Sequence, residues 1–170
     1  AWGDYDNDGN LDLFVGQYPG SGPGQNRNRL FRNLGNGSFD EVLRGSLVSD
    51  PCGNSIAPIW VDYDGDGDLD LHVVRVGSSG SGTRSYLYRN NGGANHWLKI
   101  RLKGTVSNSY GVGARIFVTA TVRGQSVRQL RTIASQSVHQ ELEAHFGLGD
   151  ATKADLIRIE WPSGNVQEVT

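Results

Sequence analysis

Methionine is missing from this chain, and cysteine occurs once, at Cys52. One thiol permits no internal disulfide. It reads by default as a small buried group and says little about compartment. No apolar run is long enough to cross a membrane, and no basic-then-apolar leader opens the sequence. With no initiating Met, and with a first segment that falls inside a repeat, the chain reads as a piece of a longer one. An excess of one charge is also lacking: 16 Lys+Arg face 18 Asp+Glu, a formal net charge of -2. That balance argues neither for nucleic acid nor for a membrane surface. No stretch shows a helical period, so β-structure is left to carry the core.

What the chain has is one acidic segment written twice. Asp4-Tyr5-Asp6-Asn7-Asp8-Gly9-Asn10-Leu11-Asp12 returns 58 residues later as Asp62-Tyr63-Asp64-Gly65-Asp66-Gly67-Asp68-Leu69-Asp70. Calcium is a hard cation that takes about six to eight oxygen ligands in flexible geometry. Carboxylates at loop positions 1, 3 and 5 converge on one ion if the backbone curls around it. Those positions hold Asp4, Asp6 and Asp8, then Asp62, Asp64 and Asp66. Gly9 and Gly67 stand at position 6, where the chain must turn and a Cβ would obstruct it. Position 7, at Asn10 and Asp68, is expected to give a backbone carbonyl, and Asp12 and Asp70 complete each set at position 9. Position 12 holds Val15 and Val73 rather than the bidentate Glu of a helical EF-hand, which excludes that motif. Leu11-Asp12-Leu13-Phe14-Val15 and Leu69-Asp70-Leu71-His72-Val73-Val74 leave the loops with strand-like alternation. The unit is therefore loop-then-strand, with two calcium sites expected.

Charge supports the cation. The two loops hold nine of the 18 acids, leaving the rest of the chain at +7, and two calcium ions would carry the whole from -2 to +2. So many carboxylates in one place repel without a cation; the plainer alternative is an acidic, solvated turn.

The repeat continues beyond the loops. Asn28-Arg29-Leu30-Phe31-Arg32-Asn33 runs into Leu34-Gly35-Asn36-Gly37, and Arg84-Ser85-Tyr86-Leu87-Tyr88-Arg89-Asn90 runs into Asn91-Gly92-Gly93. Each is a short strand followed by a Gly/Asn turn. Residues 17–25 and 77–83, rich in Gly and Ser, read as loops. Several short strands per repeat point to propeller blades or a similar radial array. Arg29, Arg32, Arg84 and Arg89 read as charge that protects strand edges.

These residues resemble the FG-GAP/VCBS repeat of calcium-binding β-propellers, over about residues 1–45 and 57–92. The remainder resembles the ASPIC/UnbV module that follows such repeats in bacterial secreted and cartilage acidic protein-like chains. It does so through Asn95-His96-Trp97-Leu98, Gly104, Ser107-Asn108, Gly113-Ala114-Arg115, Ser135-Gln136, His145-Phe146-Gly147-Leu148-Gly149 and Trp161-Pro162-Ser163-Gly164. Ser109-Tyr110-Gly111 departs from that family, which more often has a basic residue there, and the end at Thr170 would cut the module short. Two repeats cannot close a propeller, which needs at least about four blades. The expected fold is all-β: two blade-like repeats in residues 1–92, then a small β-sandwich or barrel in residues 93–170.

The C-terminal part reads as β on its own terms. Leu98, Ile100 and Leu102 alternate with Lys99, Arg101 and Lys103. Ile116, Val118, Ala120 and Val122 alternate with Arg115, Phe117, Thr119 and Thr121. Val138 to Phe146 and Leu156 to Trp161 give further runs.

Catalytic readings fare poorly against structural ones. Glu141 and Glu143 sit two apart on one strand face, where a solvated surface is the commoner meaning. His139 and His145 flank them, but ligands spread along one strand cannot all reach one ion. Ser135 and Ser163 lack nucleophile context, and Trp161-Pro162-Ser163-Gly164 reads as a turn. Tyr18, Trp97, Tyr110 and Phe117 would suit a sugar surface, or simply pack. The resulting expectation is a non-enzymatic, calcium-binding interaction or adhesion module, located extracellularly, at the cell surface or in the periplasm. Its expected partner is a protein or glycan, without nucleic acid and without a membrane span, and with self-association possible through open strand edges. The alternatives are a carbohydrate-binding module and the non-catalytic part of a larger secreted enzyme.

Overall fold

The computed structural model describes residues 1–17, 27–49, 55–76, 82–134 and 142–170. Tyr18, Cys52, Ser135, Gln136, Val138, His139 and Glu141, with most of the two Gly/Ser-rich loops, lie outside those residues. The described chain is almost entirely antiparallel β-sheet, as its alternation requires. One helical turn, α1 (Ser46–Ser49), escapes the periodicity because it is only four residues long. Among the described residues, no helix is long and apolar enough to cross a membrane.

The chain divides into two compact units, one of Ala1–Tyr5 and Asn10–Asn91, the other of Asp6–Gly9 and Gly92–Thr170. In the first unit each repeat is a meander. Strands β1 (Trp2–Gly3), β2 (Asp12–Val15), β3 (Arg29–Asn33) and β4 (Phe39–Val42) form one sheet in that order. Strands β5 (Ser55–Val61), β6 (Asp70–Val76) and β7 (Thr83–Tyr88) form another. Each acidic segment is the connection from the first to the second strand of its meander, so β2 and β6 both begin on the position-9 aspartate.

The inner faces of the two meanders share one core of Phe14, Leu30, Val48, Leu71 and Val73, with Tyr5, Trp60 and Tyr88 packed against it. Trp60 is the joint. Its indole stacks on Tyr5, with centroids 6.2 Å apart, and meets Phe14 edge-on at 6.5 Å. It also lies flat on Gly3, where an added Cβ would stand 2.5 Å from the ring. The repeat aligns Gly3 with Val61 and Trp2 with Trp60, yet the two tryptophans differ. Trp2 is 56% exposed and leans on Phe39.

The second unit is two sheets over one core rather than a closed barrel. Strands β8 (His96–Arg101) and β11 (Glu143–Gly149) pair with each other. Strands β9 (Arg115–Val122), β10 (Gln125–Thr132), β12 (Leu156–Glu160) and β13 (Val166–Val169) form a sheet in the order β10-β9-β12-β13. Ile116, Val118, Ala120 and Val122 all point inward, as their alternation predicts, and meet Ala144, Phe146, Leu148 and Ile159. Burying such side chains contributes about 1.5–3 kcal/mol for each Val, Ile, Leu or Phe. Strand β10 was not legible from apolar alternation because its inward residues are Val127, Gln129 and Arg131. Gln129 is buried and donates from Nε2 to the Gly147 carbonyl at 2.6 Å, so a polar side chain fills an interior place.

Gly3→Val, which installs the residue found at the matching position of the second repeat, should destabilise the protein by about 1–3 kcal/mol through overpacking against Trp60. Thermal melting measures it; an unchanged midpoint would remove Gly3 from the joint.

Candidate metal centres

The two acidic loops fold alike because the same residue types take the same backbone states. Position 6 is left-handed in both, with φ +95° at Gly9 and +91° at Gly67. Position 4 is left-handed too, with φ +57° at Asn7 and +77° at Gly65. Asn tolerates that region better than most side chains. Position 4 went unnoticed in the sequence reading; its signal was the Asn/Gly pair. Two left-handed residues in three wind the chain into a tight curl with side chains turned inward.

The curl gathers carboxylates. Asp4, Asp6 and Asp8 have oxygens within 4.8 Å of one another in the first loop, and Asp62, Asp64 and Asp70 do so in the second. Asp4, Asp8, Asp62 and Asp70 are buried. Two unit charges about 4 Å apart repel by roughly 4 kcal/mol at an effective dielectric near 20. Burial, aided by the charges of Asp64 and Asp66, holds the Asp70 carboxyl above its usual range against two hydrogen bonds that lower it. A desolvated oxygen cluster of this kind fits a hard dication, which replaces the missing water and reverses the repulsion.

The position-9 aspartates do something the sequence reading did not foresee. Asp12 accepts the Tyr5 N–H at 3.1 Å on Oδ2 and the Asn33 N–H at 2.8 Å on Oδ1. Asp70 accepts the Tyr63 N–H at 3.2 Å and the Asn90 N–H at 2.7 Å in the same manner. Each carboxylate thus ties the start of its loop to the end of the third strand. Asn33 and Asn90 return the connection through their side-chain amides. Asn33 Nδ2 donates to the Leu11 carbonyl at 3.0 Å; Asn90 Nδ2 donates to Leu69 at 3.3 Å and to Tyr5 at 2.7 Å. The recurring Arg-Asn pair after each loop was the available signal.

Position 1 braces its own loop. Asp62 accepts the Gly65 N–H on Oδ1 and the Gly67 N–H on Oδ2, both at 2.8 Å. Of the remaining expected ligands, Asp66 stands apart from the second cluster. It accepts the Asp68 N–H at 3.0 Å and faces Arg89 at 3.7 Å. Arg89 also pairs with Asp64 at 2.9 Å, so this arginine serves the loop rather than a sheet edge. Asp12 is not among the grouped carboxylates of the first loop, and Asp68 is not among those of the second. Asn10 lies beside Gly35, where a Cβ would stand 3.0 Å from its amide nitrogen.

The other candidates scatter. Glu143 faces Arg101 across the β8–β11 pair at 3.9 Å, and its expected companion Glu141 lies outside the described residues. His145 stacks on Trp97, centroids 6.5 Å apart. Phe117 lies under the guanidinium of Arg128 at 4.3 Å, and Tyr110 is exposed in a loop. Trp161 belongs partly to the core.

Asn90→Ala should cost about 1–3 kcal/mol, since it leaves two loop carbonyls without their donor. Denaturant unfolding of the variant checks this; a loss within error would deny the amide its bracing role.

Comparison with known proteins agrees with these elements. Residues 4–73 match the family model of the FG-GAP-like repeat, and residues 104–170 match that of ASPIC and UnbV. The chain is 30% identical to cartilage acidic protein 1 of Xenopus tropicalis over 164 residues, and 30% identical to those of Mus musculus and Homo sapiens over 169. Each alignment covers 96% of this chain, which spans about a quarter of the length of each relative. The resemblance read from the loops and the C-terminal motifs is thereby shown, segment by segment: residues 4–73 to the FG-GAP-like repeat and residues 104–170 to ASPIC and UnbV.

Proposed function

We propose that this chain is a calcium-binding, non-enzymatic interaction or adhesion module that works extracellularly, at a cell surface or in the periplasm. The observation that carries the proposal is the pair of carboxylate clusters, three oxygens within 4.8 Å in each, built on loops of the same backbone form. The role of calcium is structural. It neutralises each curl and fixes the entry into β2 and β6, from which the inner-face residues Phe14, Leu71 and Val73 follow. Asp4, Asp6 and Asp8 would hold one ion, and Asp62, Asp64 and Asp70 the other, with Asp66 available on the open side. Extracellular calcium modules work at dissociation constants of about 10⁻⁴–10⁻³ M, a regime in which such loops would stay loaded outside the cell and not in a cytosol. The partly similar cartilage acidic proteins support an extracellular setting by name, and a protein or glycan is the partner class this reading implies.

Calcium titration by calorimetry should give two equivalents, with Asp6→Ala and Asp64→Ala each removing about one. Two ions retained by the double variant would end the assignment. Ligand that binds only the native state stabilises it by mass action, about 2.7 kcal/mol at one hundred times the dissociation constant. Excess chelator should therefore lower the melting temperature, and melting unaffected by chelator would exclude a structural role.

The non-enzymatic reading rests on the lack, among the described residues, of a nucleophile–base–orienter set. Panels of general hydrolase substrates should stay blank; turnover abolished by Glu143→Gln would overturn this. A second reading, sugar binding by the C-terminal module, is favoured by a cavity of about 210 Å³. Lys103, Thr105, Ser107, Trp161, Asn165 and Gln167 contribute to its lining. Hydroxyl and amide groups beside an indole suit a polyhydroxylated ring. A glycan array decides between a sugar and a protein partner.

A further inference from the structure

We infer that Arg89 is a resident counter-ion of the second loop, holding carboxylate oxygens that a calcium ion must take from it. The inference rests on the calcium reading above and concerns how that site is regulated. Arg89 follows β7 directly and precedes Asn90. The backbone N–H of Asn90 is fixed to Asp70 at 2.7 Å, and its amide to the Leu69 and Tyr5 carbonyls. The root of the guanidinium side chain is therefore tethered one residue from the loop's own brace.

Its Nη2 stands 2.9 Å from Asp64 Oδ2 and 3.7 Å from Asp66 Oδ2. Asp64 is a member of the grouped carboxylates, and Asp66 is the position-5 residue that the first loop does include in its group, as Asp8. Arg89 thus sits on the position-3 and position-5 carboxylates, the open side from which a cation would enter. A guanidinium offers a planar fork of N–H donors matched to carboxylate oxygens, so it competes for the same atoms a cation would use. The contact is also light. The Arg89 side chain is 56% exposed and Asp66 35%, and pairs in such surroundings are weak enough for a dication to displace. Asp62 and Asp70 are buried, and each accepts two backbone hydrogen bonds. The arginine therefore screens the open side of a loop whose inner side is already braced. It holds the curl together when calcium is scarce and swings out when calcium arrives.

A role in merely orienting Asp64 predicts the opposite sign, because losing the orienter would weaken calcium binding. The test is calorimetric titration of the full chain with CaCl₂ in an Asp6→Ala background, so that the second loop dominates the isotherm. It compares Arg89, Arg89→Gln and Arg89→Lys. Removing the competitor should tighten calcium binding about two- to five-fold in Arg89→Gln, the factor expected from one exposed ion pair. Arg89→Lys, whose ammonium reaches one carboxylate at a time, should fall between. In EDTA the Arg89→Gln protein should melt below the parent, and in saturating CaCl₂ the two should converge. The inference is overturned if the parent binds calcium most tightly of the three, or if the EDTA melting temperatures coincide. If the parent loop takes up no calcium at all, the calcium reading itself fails and this inference falls with it. A lower melting point of Arg89→Gln in EDTA would then mark Arg89 as a permanent partner of the loop.

Discussion

Mutual repulsion among carboxylates crowded into a tight curl is the constraint on which the first unit depends. Three acids with oxygens within 4.8 Å would push an unsupported loop open. What resists is mostly backbone. Asp62 is held by two N–H groups of its own loop, and Asp12 and Asp70 each by two N–H groups from opposite ends of the repeat. Hydrogen bonds to an ionised group are stronger than neutral ones, so these contacts stabilise the charged form where it is. The proposed cation would complete what the amides begin, by cancelling charge that hydrogen bonds alone only spread.

The packing follows from the loops. Because each strand after a loop starts on the position-9 aspartate, its inward set is fixed in phase. A shift of one residue would send Phe14 or Leu71 and Val73 to the wrong face. The core of the first unit is small, and one indole accounts for much of its cohesion. Trp60 contacts Tyr5 and Phe14 through its ring and leaves Gly3 no room for a side chain. Tyr5 lies inside the first loop, so the geometry of that loop and the packing of Trp60 are set together.

Much of this was legible in the residues. The duplicated aspartates, the glycine at position 6 and the alternation of Ile116 to Val122 each translate directly into a backbone state or a buried face. The all-β class and the segment resemblance followed from them. Less was legible wherever a side chain's job is to bond rather than to be apolar. Strand β10 was hidden because Gln129 occupies a core place by hydrogen bonding to Gly147. The recurring Arg-Asn pair read as edge charge, although Asn33 and Asn90 brace the loops and Arg89 pairs with two loop acids. Distances across 20 residues of chain are not written in a local pattern. The nominal equivalence of the repeats also hides that Trp2 and Trp60 have opposite fates.

The separation of labour within the acidic segment bears on how such repeats change over time. Positions 1 and 3 gather charge in both loops, joined by position 5 in the first and position 9 in the second, whereas position 9 and the asparagine at the end of the third strand close the loop through main-chain hydrogen bonds. These two halves are subject to different losses. A copy in which Asp64 or Asp66 drifts to a neutral residue sheds repulsion together with a carboxylate that the proposed cation would use, and the closure by Asp70 and Asn90 is untouched. A copy that loses Asp70 loses both a member of the acidic cluster and the acceptor that ties Tyr63 to Asn90. Copies of this repeat that lack the acidic cluster are therefore to be sought by the closing Asp–Asn pair, after the acidic spelling that first identifies the repeat has eroded.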